Sequence, residues 1–233
     1  MQNIPHKAVV VIPAYNEEKN ILKVLNDLEK IKIDVIVVDD GSKDKTYKVV
    51  EDYKKNSKIK VFLLKNKKNF GKAKSIEKGV NLALSLGYEY IVFMDGDYQH
   101  KPKDIPKLLS KIKDADAVFG IRRYKNIPFY RQISNFLASL LISLLISLYV
   151  KKIYIFRDIQ CGFRVIKAEF LRDMYFGEGY AVEHLVAIQL AKRRAKILEE
   201  YVDIEYHDEA ISYITTKKIL DVIKQVIKYI VVS

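Results

Sequence analysis

The sequence predicts an α/β fold in which helices cover both faces of a mostly parallel central sheet. Four short apolar runs, at residues 8–12, 34–38, 61–64 and 90–94, have the length and composition of buried strands. Amphipathic stretches separate these runs, and their lengths suit helices that return the chain to a parallel neighbour. Ligands of such sheets bind beyond the carboxyl ends of the strands, so the residues that follow each run are the candidates for a site.

The first two runs lead into polar loops and then into helices. The first run ends in Pro-Ala-Tyr-Asn-Glu at residues 13–17, and apolar residues then recur at helical spacing up to residue 28. The second run ends in Asp-Asp-Gly-Ser at residues 39–42, before an amphipathic stretch at residues 46–55. Both loops contain good helix-capping residues, which is the alternative explanation for their polarity.

The same pattern continues towards the carboxyl terminus. Gly71 opens a predicted helix that reaches residue 86, and residues 168–174 and 182–193 are predicted to be helical. A further strand is predicted where apolar and aromatic residues alternate, at Val202, Ile204 and Tyr206.

The fourth run opens onto Asp95, Asp97 and Gln99, with one residue between each pair. Alternate residues of an extended segment point the same way, so these side chains are expected to converge on one hard cation, whose ligands are oxygens. Acidic turns after strands are common, and this spacing is weak support when taken alone. Polar side chains at three strand ends of one sheet edge favour a binding site over simple capping.

Composition limits the classes of protein that need to be considered. The 233 residues are 49% hydrophobic, which is enough for one sizeable core. The single cysteine, Cys161, excludes an internal disulfide and fits a reducing compartment. No secretory signal is visible, so the amino-terminal part is expected in the cytoplasm. A net charge of +12 suggests an anionic membrane face or a phosphorylated ligand as partner, and a lysine-rich solvated surface is the alternative explanation. No nucleic-acid-binding module is visible.

The order of these motifs resembles family 2 glycosyltransferases with the GT-A fold. The likeness begins with VIPAYNE at residues 11–17, VDDGS at 38–42, NFGK at 69–72 and MDGDYQH at 94–100. Downstream segments are similar to the dolichyl-phosphate mannosyltransferase branch, namely GIR at residues 120–122, Arg131, Ser134, Asn135 and DIQCGFR at residues 158–164. The resemblance extends to about residue 212.

The resemblance implies a nucleotide-sugar donor and a divalent metal, Mg²⁺ or Mn²⁺, held by Asp95, Asp97 and Gln99. The same two aspartates carry over as catalytic residues with Arg122 and Arg131. Arg122, Arg131 and Ser134 carry over as ligands of an acceptor phosphate. The implied donor-binding residues are Pro13, Ala14, Tyr15, Glu17, Val38, Asp39, Asp40, Lys72, Asp95, Gly96, Asp97, Arg122, His207 and Tyr213.

The chain departs from the family pattern at two places. Ala73 stands where a glycine is often found, and a late Arg-x-x-Gly-x-Ser-Lys segment is replaced by residues 207–213, HDEAISY. His207 and Tyr213 take the places of the arginine and the lysine, so two fixed positive charges near the diphosphate are lost or become pH-dependent. The donor is therefore open between GDP-mannose and a UDP-sugar such as UDP-glucose.

Residues 133–150 carry no charge and are long enough to cross a membrane. A polar stripe nevertheless recurs at every fourth residue, and a single crossing would separate residues 160–164 from Asp95, which the resemblance places at the same site. We therefore expect this helix to lie in the membrane interface, with Arg131, Lys151 and Lys152 at its ends. A buried core helix in a water-soluble protein is the alternative.

Residues 217–232 form a second basic amphipathic segment. The expected organisation is a glycosyltransferase domain at residues 1–212, including the interface helix, and a membrane-associated helix at residues 213–233. Capping of the domain and dimerisation are the alternative roles for this segment.

The predicted activity is transfer of a sugar from a nucleotide donor to polyprenyl or dolichyl phosphate at the cytoplasmic face of the cell membrane. One alternative is an enzyme of the same fold with a soluble or polysaccharide acceptor. Another is a membrane-surface adaptor without catalysis. Nucleotidyl transfer would require a glycine- and arginine-rich loop after the first strand, which residues 13–17 do not provide.

Overall fold

A seven-stranded sheet forms the centre of the protein, with strand order β3-β2-β1-β4-β6-β5-β7. The computed structural model describes residues 7–123, 129–205 and 216–232. All neighbouring strands are parallel except β6, which is antiparallel to β4 and to β5. The strands are β1 (Ala8–Ala14), β2 (Asp34–Asp39), β3 (Val61–Lys65), β4 (Tyr90–Phe93), β5 (Ala117–Arg123), β6 (Arg164–Lys167) and β7 (Ile197–Asp203).

Helices cover both faces of this sheet, as the sequence predicts. Because successive side chains of a strand point to opposite faces, Val9 and Val11 of β1 enter one apolar core while Val10 and Ile12 enter the other. The helices are α1 (Ile21–Lys30), α2 (Thr46–Asn56), α3 (Lys72–Ser85), α4 (Ile105–Lys111), α5 (Phe129–Val150), α6 (Val182–Lys192) and α7 (Thr216–Val232). The first, second and fourth helices line the Val10 side, and the others line the Val9 side.

Helix α3 packs closely on the sheet because Gly79 has no side chain. A Cβ atom at Gly79 would lie 2.5 Å from Cγ1 of Val11 and 3.3 Å from Cγ2 of Val38. Such a distance is shorter than van der Waals contact allows, so any larger residue would push the helix outward. This close contact fixes the first residue of α3, Lys72, relative to the ends of β1 and β2.

The carboxyl-terminal half contains the differences from the sequence prediction. Strands β5 and β6 and helix α4 were not predicted, and residues 168–174 form only a short 3-10 turn at Ala168–Leu171. The predicted last strand lies earlier in the chain, as β7. Ile204 makes only an isolated bridge, to His100. Tyr206, the last residue of the predicted alternation, lies outside the described residues.

Helix α5 has one face inside the protein and one face outside. Its buried face carries Ser139 and Ser143 together with Ile142, Ile146 and Val150. Its outer face exposes Phe136, Leu137, Leu140, Leu141, Leu144 and Leu148, each by 45–66%. The helix is therefore not sealed in the core, and the polar stripe noticed in the sequence faces inward. Within the three described stretches of the chain, no helix combines the length and apolarity needed to cross a membrane.

Helix α7 packs partly on the domain and partly exposes apolar residues. Val226 is buried in the same core as α5 and α6, whereas Ile223 and Ile227 are exposed. The Gln225 side chain accepts from the Glu178 N–H and donates to the Glu178 carbonyl. The Lys192 ammonium lies 5.9 Å from the ring centroids of Tyr149 on α5 and Tyr229 on α7, so the two helices flank the end of α6.

Candidate active site

The carboxyl ends of β1, β2, β4 and β5 meet at one edge of the sheet because these strands run in the same direction. They bring together most of the described residues singled out in the sequence. The β1 end carries Tyr15 and Glu17, and the β2 end carries Asp39 and Asp40. Asp95 and Asp97 follow β4, and Arg122 is the next-to-last residue of β5. Ala14 and Val38 are buried in the sheet, so their side chains belong to the core.

The loop after β1 is tied to the loop after β2. Asn16 adopts a left-handed φ of 57°, its backbone N–H donates to Ser42 Oγ, and its side-chain oxygen accepts from the Lys43 N–H at 2.8 Å. Asparagine tolerates this conformation better than most residues. The turn places the Glu17 N–H 2.7 Å from Thr46 Oγ1. Burial, with added repulsion from Asp97, Asp95 and Asp44, raises the pKa of the Glu17 carboxyl to about 7.

Asp39 and Asp40 are neighbours with different environments. Both oxygens of Asp40 are used within the protein: Oδ1 accepts from Asn66 Nδ2 and the Phe70 N–H, and Oδ2 accepts from the Gly71 N–H. Asp39 is fully buried, and its Oδ2 has no hydrogen-bond partner among the described residues. A buried carboxylate oxygen without a donor is costly unless a ligand supplies one.

Asp95 is paired with a lysine in this structure. Lys72 Nζ lies 2.7 Å from Asp95 Oδ1 and 2.9 Å from Glu183 Oε1, joining the β4 end to the starts of α3 and α6. Burial opposes the charge on Lys72, but the two carboxylates outweigh it and raise the pKa of its ammonium group. Burial would raise the pKa of Asp95, but the charge of Lys72 lowers it overall. Gly162 leaves room for this group, since a Cβ there would lie 3.0 Å from Lys72 Nζ.

The segment that follows Asp95 turns instead of continuing as a strand. Tyr98 has a left-handed φ of 61°, and Asp97 Oδ1 accepts from the Gln99 N–H at 2.9 Å. The Tyr98 hydroxyl donates to Asp27 at 2.6 Å. The expectation of an extended segment with alternate residues on one side is therefore wrong, because the chain reverses within Gly96 to Gln99. A turn that begins at Gly96, and not an extended strand, connects Asp95 to Asp97.

His100 and Cys161 form a buried pair behind the acidic turn. His100 Nε2 lies 3.8 Å from Cys161 Sγ, and the imidazole stacks at a tilt on Phe163. Burial lowers the pKa of His100 to about 4 and raises the pKa of the Cys161 thiol to about 12. Both groups are neutral at neutral pH, so Cys161 is a packed residue and not a thiolate nucleophile.

Arg122 is held in one orientation by Asp158. Its Nε and Nη2 atoms donate to the two carboxylate oxygens at 2.7 Å each, and its backbone N–H donates to Oδ2 at 3.2 Å. Asp158 is almost fully buried, so water does not compete for its carboxylate and the geometry of the pair is well defined. Asp158 begins the DIQCGFR motif, but the motif alone predicts no role for it. A bidentate ion pair between residues so far apart has no local sequence signal.

A second buried cation, Arg164, fixes the loop that carries Asp158. The guanidinium donates to the carbonyl oxygens of Ile159, Cys161 and Glu183 at 2.6–3.2 Å and lies over the Phe119 ring. Burial lowers its pKa, although nearby Glu183 partly opposes this effect. Four bonds to backbone carbonyls connect the loop to the start of α6, where Glu183 contacts Lys72.

The family model for glycosyl transferase family 2 matches residues 9–174, which include these site residues up to Arg164. The chain belongs to glycosyl transferase family 2. It is therefore a glycosyltransferase, as its motifs predict. The expected GT-A fold is confirmed as well, because the sheet and helices match solved structures of that fold across nearly the whole chain.

Two relatives and one solved structure are similar to this chain over most of its length. An uncharacterised protein of Methanocaldococcus jannaschii is 68% identical over 225 residues, covering 95% of this chain and 98% of that protein. The UDP-N-acetylglucosamine–dolichyl-phosphate N-acetylglucosaminyltransferase of Methanococcus voltae is 34% identical over 182 residues, or 70% of each chain. Glucosyl-3-phosphoglycerate synthase of Mycobacterium tuberculosis, solved with Mn²⁺, UDP and glucosyl-3-phosphoglycerate, aligns with a TM-score of 0.69 and 22% identity, covering 94% of this chain and 77% of the other.

Several residues expected at the site of this family 2 enzyme lie outside the described residues. They are His207 and Tyr213, and the side chains of Arg131 and Ser134 at the start of α5. Among the described residues, no three His, Cys, Asp or Glu side chains are grouped as for a metal ion. Asp95 is instead neutralised by Lys72, and Asp97 accepts a hydrogen bond from the Gln99 N–H.

Proposed function

We propose that this family 2 glycosyltransferase moves a sugar from a nucleotide-sugar donor to a polyprenyl or dolichyl phosphate at a membrane surface. One observation carries the choice of acceptor: α5 follows the strand of Arg122 and exposes a continuous leucine face. An exposed apolar surface of this extent on a soluble domain is typical of a lipid or protein contact. The name of the Methanococcus voltae relative supports a lipid-linked acceptor.

The donor nucleotide is proposed to bind at the ends of β1 and β2. Asp39 supports this placement, since its buried Oδ2 needs a hydrogen-bond donor, and a base N–H or a ribose hydroxyl would supply one. Pro13, Tyr15 and Glu17 would border the same space. Asp40 is better suited to hold the loop at Phe70 and Gly71, because both of its oxygens are already used. GDP-mannose and UDP-sugars such as UDP-glucose are the proposed donors.

A divalent ion, Mg²⁺ or Mn²⁺, is proposed at Asp95, Asp97 and Gln99. The chemistry of the donor set fits, because these groups are oxygen ligands and one carboxylate already binds a cationic group. The raised pKa of Glu17 reflects the negative charge of both aspartates nearby as well as burial. When bound, such an ion neutralises the charge that builds up on the departing diphosphate.

The acceptor phosphate is proposed to bind Arg122, together with Arg131 and Ser134. Asp158 holds the Arg122 guanidinium in place, so little conformational freedom is lost on binding a phosphate. A phosphate monoester is already an anionic nucleophile, so positioning can replace a strong general base. One of its oxygens would bond to the anomeric carbon as the carbon–oxygen bond to the diphosphate breaks, which inverts the anomeric configuration. His207 and Tyr213 would border the donor diphosphate.

The membrane contact is proposed to involve both α5 and α7, at the cytoplasmic face. Tyr149 and Tyr229 each lie 5.9 Å from the Lys192 ammonium, so the two helices belong to one side of the domain. The net charge of +12 favours an anionic leaflet. Residues 213–233 would act as a membrane-associated helix that also packs on the domain through Val226.

The test is to incubate the protein with Mg²⁺ or Mn²⁺, dolichyl phosphate and labelled GDP-mannose, UDP-glucose or UDP-N-acetylglucosamine, and to extract the lipid. The expected result is a labelled lipid-linked sugar with one donor, lost in both Asp95→Ala and Asp97→Ala. Absence of product with every donor would reject the proposed function. Activity retained in both variants would reject the metal site. Calorimetric titration with GDP and UDP identifies the base.

A further inference from the structure

Residues 153–159, here called the strap, connect α5 to the loop of Asp158 and have two different sides. Ile153 is 81% exposed and Ile155 is 67% exposed, whereas Tyr154, Phe156 and Asp158 are buried. This alternation is that of a strand, although the strap pairs with none of the seven strands in the described part of the chain. Two large apolar side chains are thus held in solvent by a segment whose alternate residues are fixed in the core.

Serine side chains of α5 hold the strap. Ser147 Oγ accepts from the Tyr154 N–H at 2.9 Å and donates to the Tyr154 carbonyl, and Ser143 Oγ accepts from the Phe156 N–H at 2.9 Å. Ser139 Oγ accepts from the Ile159 N–H at 3.2 Å. The strap therefore runs antiparallel to α5 along its serine edge. Its exposed isoleucines are fixed in position by these bonds.

The inner end of the strap belongs to the active site. Asp158 makes the two 2.7 Å bonds that orient Arg122. With a rise of about 3.3 Å per residue in an extended chain, the path from Ile153 to Asp158 spans at most about 16 Å. A molecule with a phosphate at Arg122 and an extended hydrocarbon chain of a few isoprene units can contact both ends of this path.

The surroundings of the isoleucines match such a molecule. Leu144 and Leu148 are exposed on the last two turns of α5, directly before the strap in the chain. Lys151 and Lys152, between the helix and the strap, are exposed and basic. An apolar surface next to basic side chains is complementary to an anionic lipid.

We propose that Ile153 and Ile155 bind the hydrocarbon chain of the polyprenyl phosphate acceptor while its phosphate lies at Arg122. The inference rests on the proposed function and adds the subsite for the chain. It separates two tasks: the leucine face of α5 contacts the bilayer in general, and the strap contacts the acceptor.

The first experiment compares the wild type with the double variant Ile153→Gln/Ile155→Gln and with Leu86→Gln. Leu86 is an exposed apolar residue at the opposite end of α3 from Lys72, so it serves as the control. The double variant is expected to raise KM for a long-chain polyprenyl phosphate by about 10- to 100-fold, from the apolar area lost. KM for a water-soluble short-chain prenyl phosphate is expected to stay the same, as is flotation with phosphatidylcholine–phosphatidylglycerol vesicles.

Two results would overturn the inference. One is an unchanged KM for the long-chain acceptor. The other is a loss of vesicle flotation that matches the change in KM, since the isoleucines would then contact only the bilayer. Both residues are exposed, so the substitutions remove no core packing.

A binding measurement separates this inference from the proposed function. The chain contains no tryptophan, so Ile155→Trp and Leu148→Trp each introduce a single tryptophan, whose emission is followed separately from that of the tyrosines. The Leu148→Trp emission is expected to shift to the blue with the same vesicles alone. The Ile155→Trp emission is expected to shift further when polyprenyl phosphate is included. A response of Ile155→Trp without any sugar transfer by the wild type supports the chain subsite and rejects the proposed function. Transfer with no response to polyprenyl phosphate rejects the subsite alone.

Discussion

Lys72 Nζ lies 2.7 Å from Oδ1 of Asp95, at the point where a divalent ion is proposed to bind. The same ammonium group contacts Glu183 at 2.9 Å, so it separates two carboxylates that would otherwise repel each other. Lysine and metal therefore offer alternative ways to neutralise Asp95. Binding of an ion would require Lys72 to give up at least one of these contacts.

Replacing Lys72 by methionine is expected to make folding depend on a divalent cation. In EDTA, Lys72→Met leaves Asp95 and Glu183 without a counter-charge, which should cost about 2–4 kcal/mol of unfolding free energy. Millimolar Mn²⁺ should restore most of the loss, and Mn²⁺ should bind more tightly than in the wild type because no ammonium group competes. Thermal unfolding with and without Mn²⁺ and calorimetric titration measure the two effects.

Lys74→Met is the matched control for this experiment. Lys74 lies on the same helix, and its exposed ammonium pairs with Glu77 at 2.7 Å, so its loss should change stability by less than about 1 kcal/mol. A Lys72→Met variant that is equally unstable with and without Mn²⁺ would argue against a cation site at Asp95.

Substituting Asp158 by asparagine is expected to affect both stability and acceptor use. The amide of the Asp158→Asn variant would still accept one hydrogen bond from Arg122. It would carry no negative charge to balance the guanidinium in a mostly buried site, which should cost about 2–4 kcal/mol of unfolding free energy. Because the guanidinium would no longer be held, KM for a phosphate acceptor should rise by about 10-fold or more. Chemical denaturation and initial rates at varied acceptor concentration provide the measurements.

Asp116→Asn is the control for a lost ion pair remote from the site. Asp116 binds Lys167 at 3.0 Å at the opposite edge of the sheet, so acceptor KM should not change. Equal effects of the two substitutions on acceptor KM would contradict the role given to Asp158.

The raised pKa of Glu17 predicts that the stability difference between the wild type and the Glu17→Gln variant depends on pH. The pKa is about 7 in the folded protein and near its ordinary value in the unfolded chain, so ionisation above pH 7 disfavours folding. That penalty disappears as the pH falls from about 7 towards the ordinary value of about 4.5. In metal-free buffer, Glu17→Gln should therefore raise Tm at pH 8 by roughly 2–4 °C, or about 1 kcal/mol after allowance for solvent screening.

At pH 5 the same substitution should have little effect, because Glu17 is then protonated in the folded protein. Glu51→Gln, at a partly exposed position of α2 near Lys48, controls for the removal of a negative charge. A Tm difference of the same size at pH 5 and pH 8 would show that charge on Glu17 does not oppose folding.

The serine edge of α5 predicts a specific loss of backbone protection. Ser143→Ala removes the acceptor for the buried Phe156 N–H, which should cost about 1–2 kcal/mol and speed hydrogen exchange of that amide. Ser85→Ala is the control, since the exposed Ser85 hydroxyl bonds to Leu82 of its own helix. If Phe156 exchange were unchanged in Ser143→Ala, the strap would be held by packing rather than by the serines.

Much of the amino-terminal half was predictable because its signals are local. Apolar runs and the amphipathic stretches between them give the order of β1 to β4 and α1 to α3, and parallel strands bring their carboxyl ends to one edge. Strand β6 was not predicted, because four residues that pair antiparallel with β4 and β5 have no distinct periodicity. Helix α5 was predicted, but the direction of its serine stripe depends on the strap that packs against it.

The family 2 motifs, the alternation of strands and helices, and the sheet edge where the acidic residues collect can all be predicted from the sequence. Three features could not be predicted: Lys72 neutralises Asp95, Asp158 orients Arg122, and the leucines of α5 face outward. Periodicity is a property of neighbouring residues, whereas these pairs join residues 23 and 36 positions apart and exist only after the sheet has brought distant loops together.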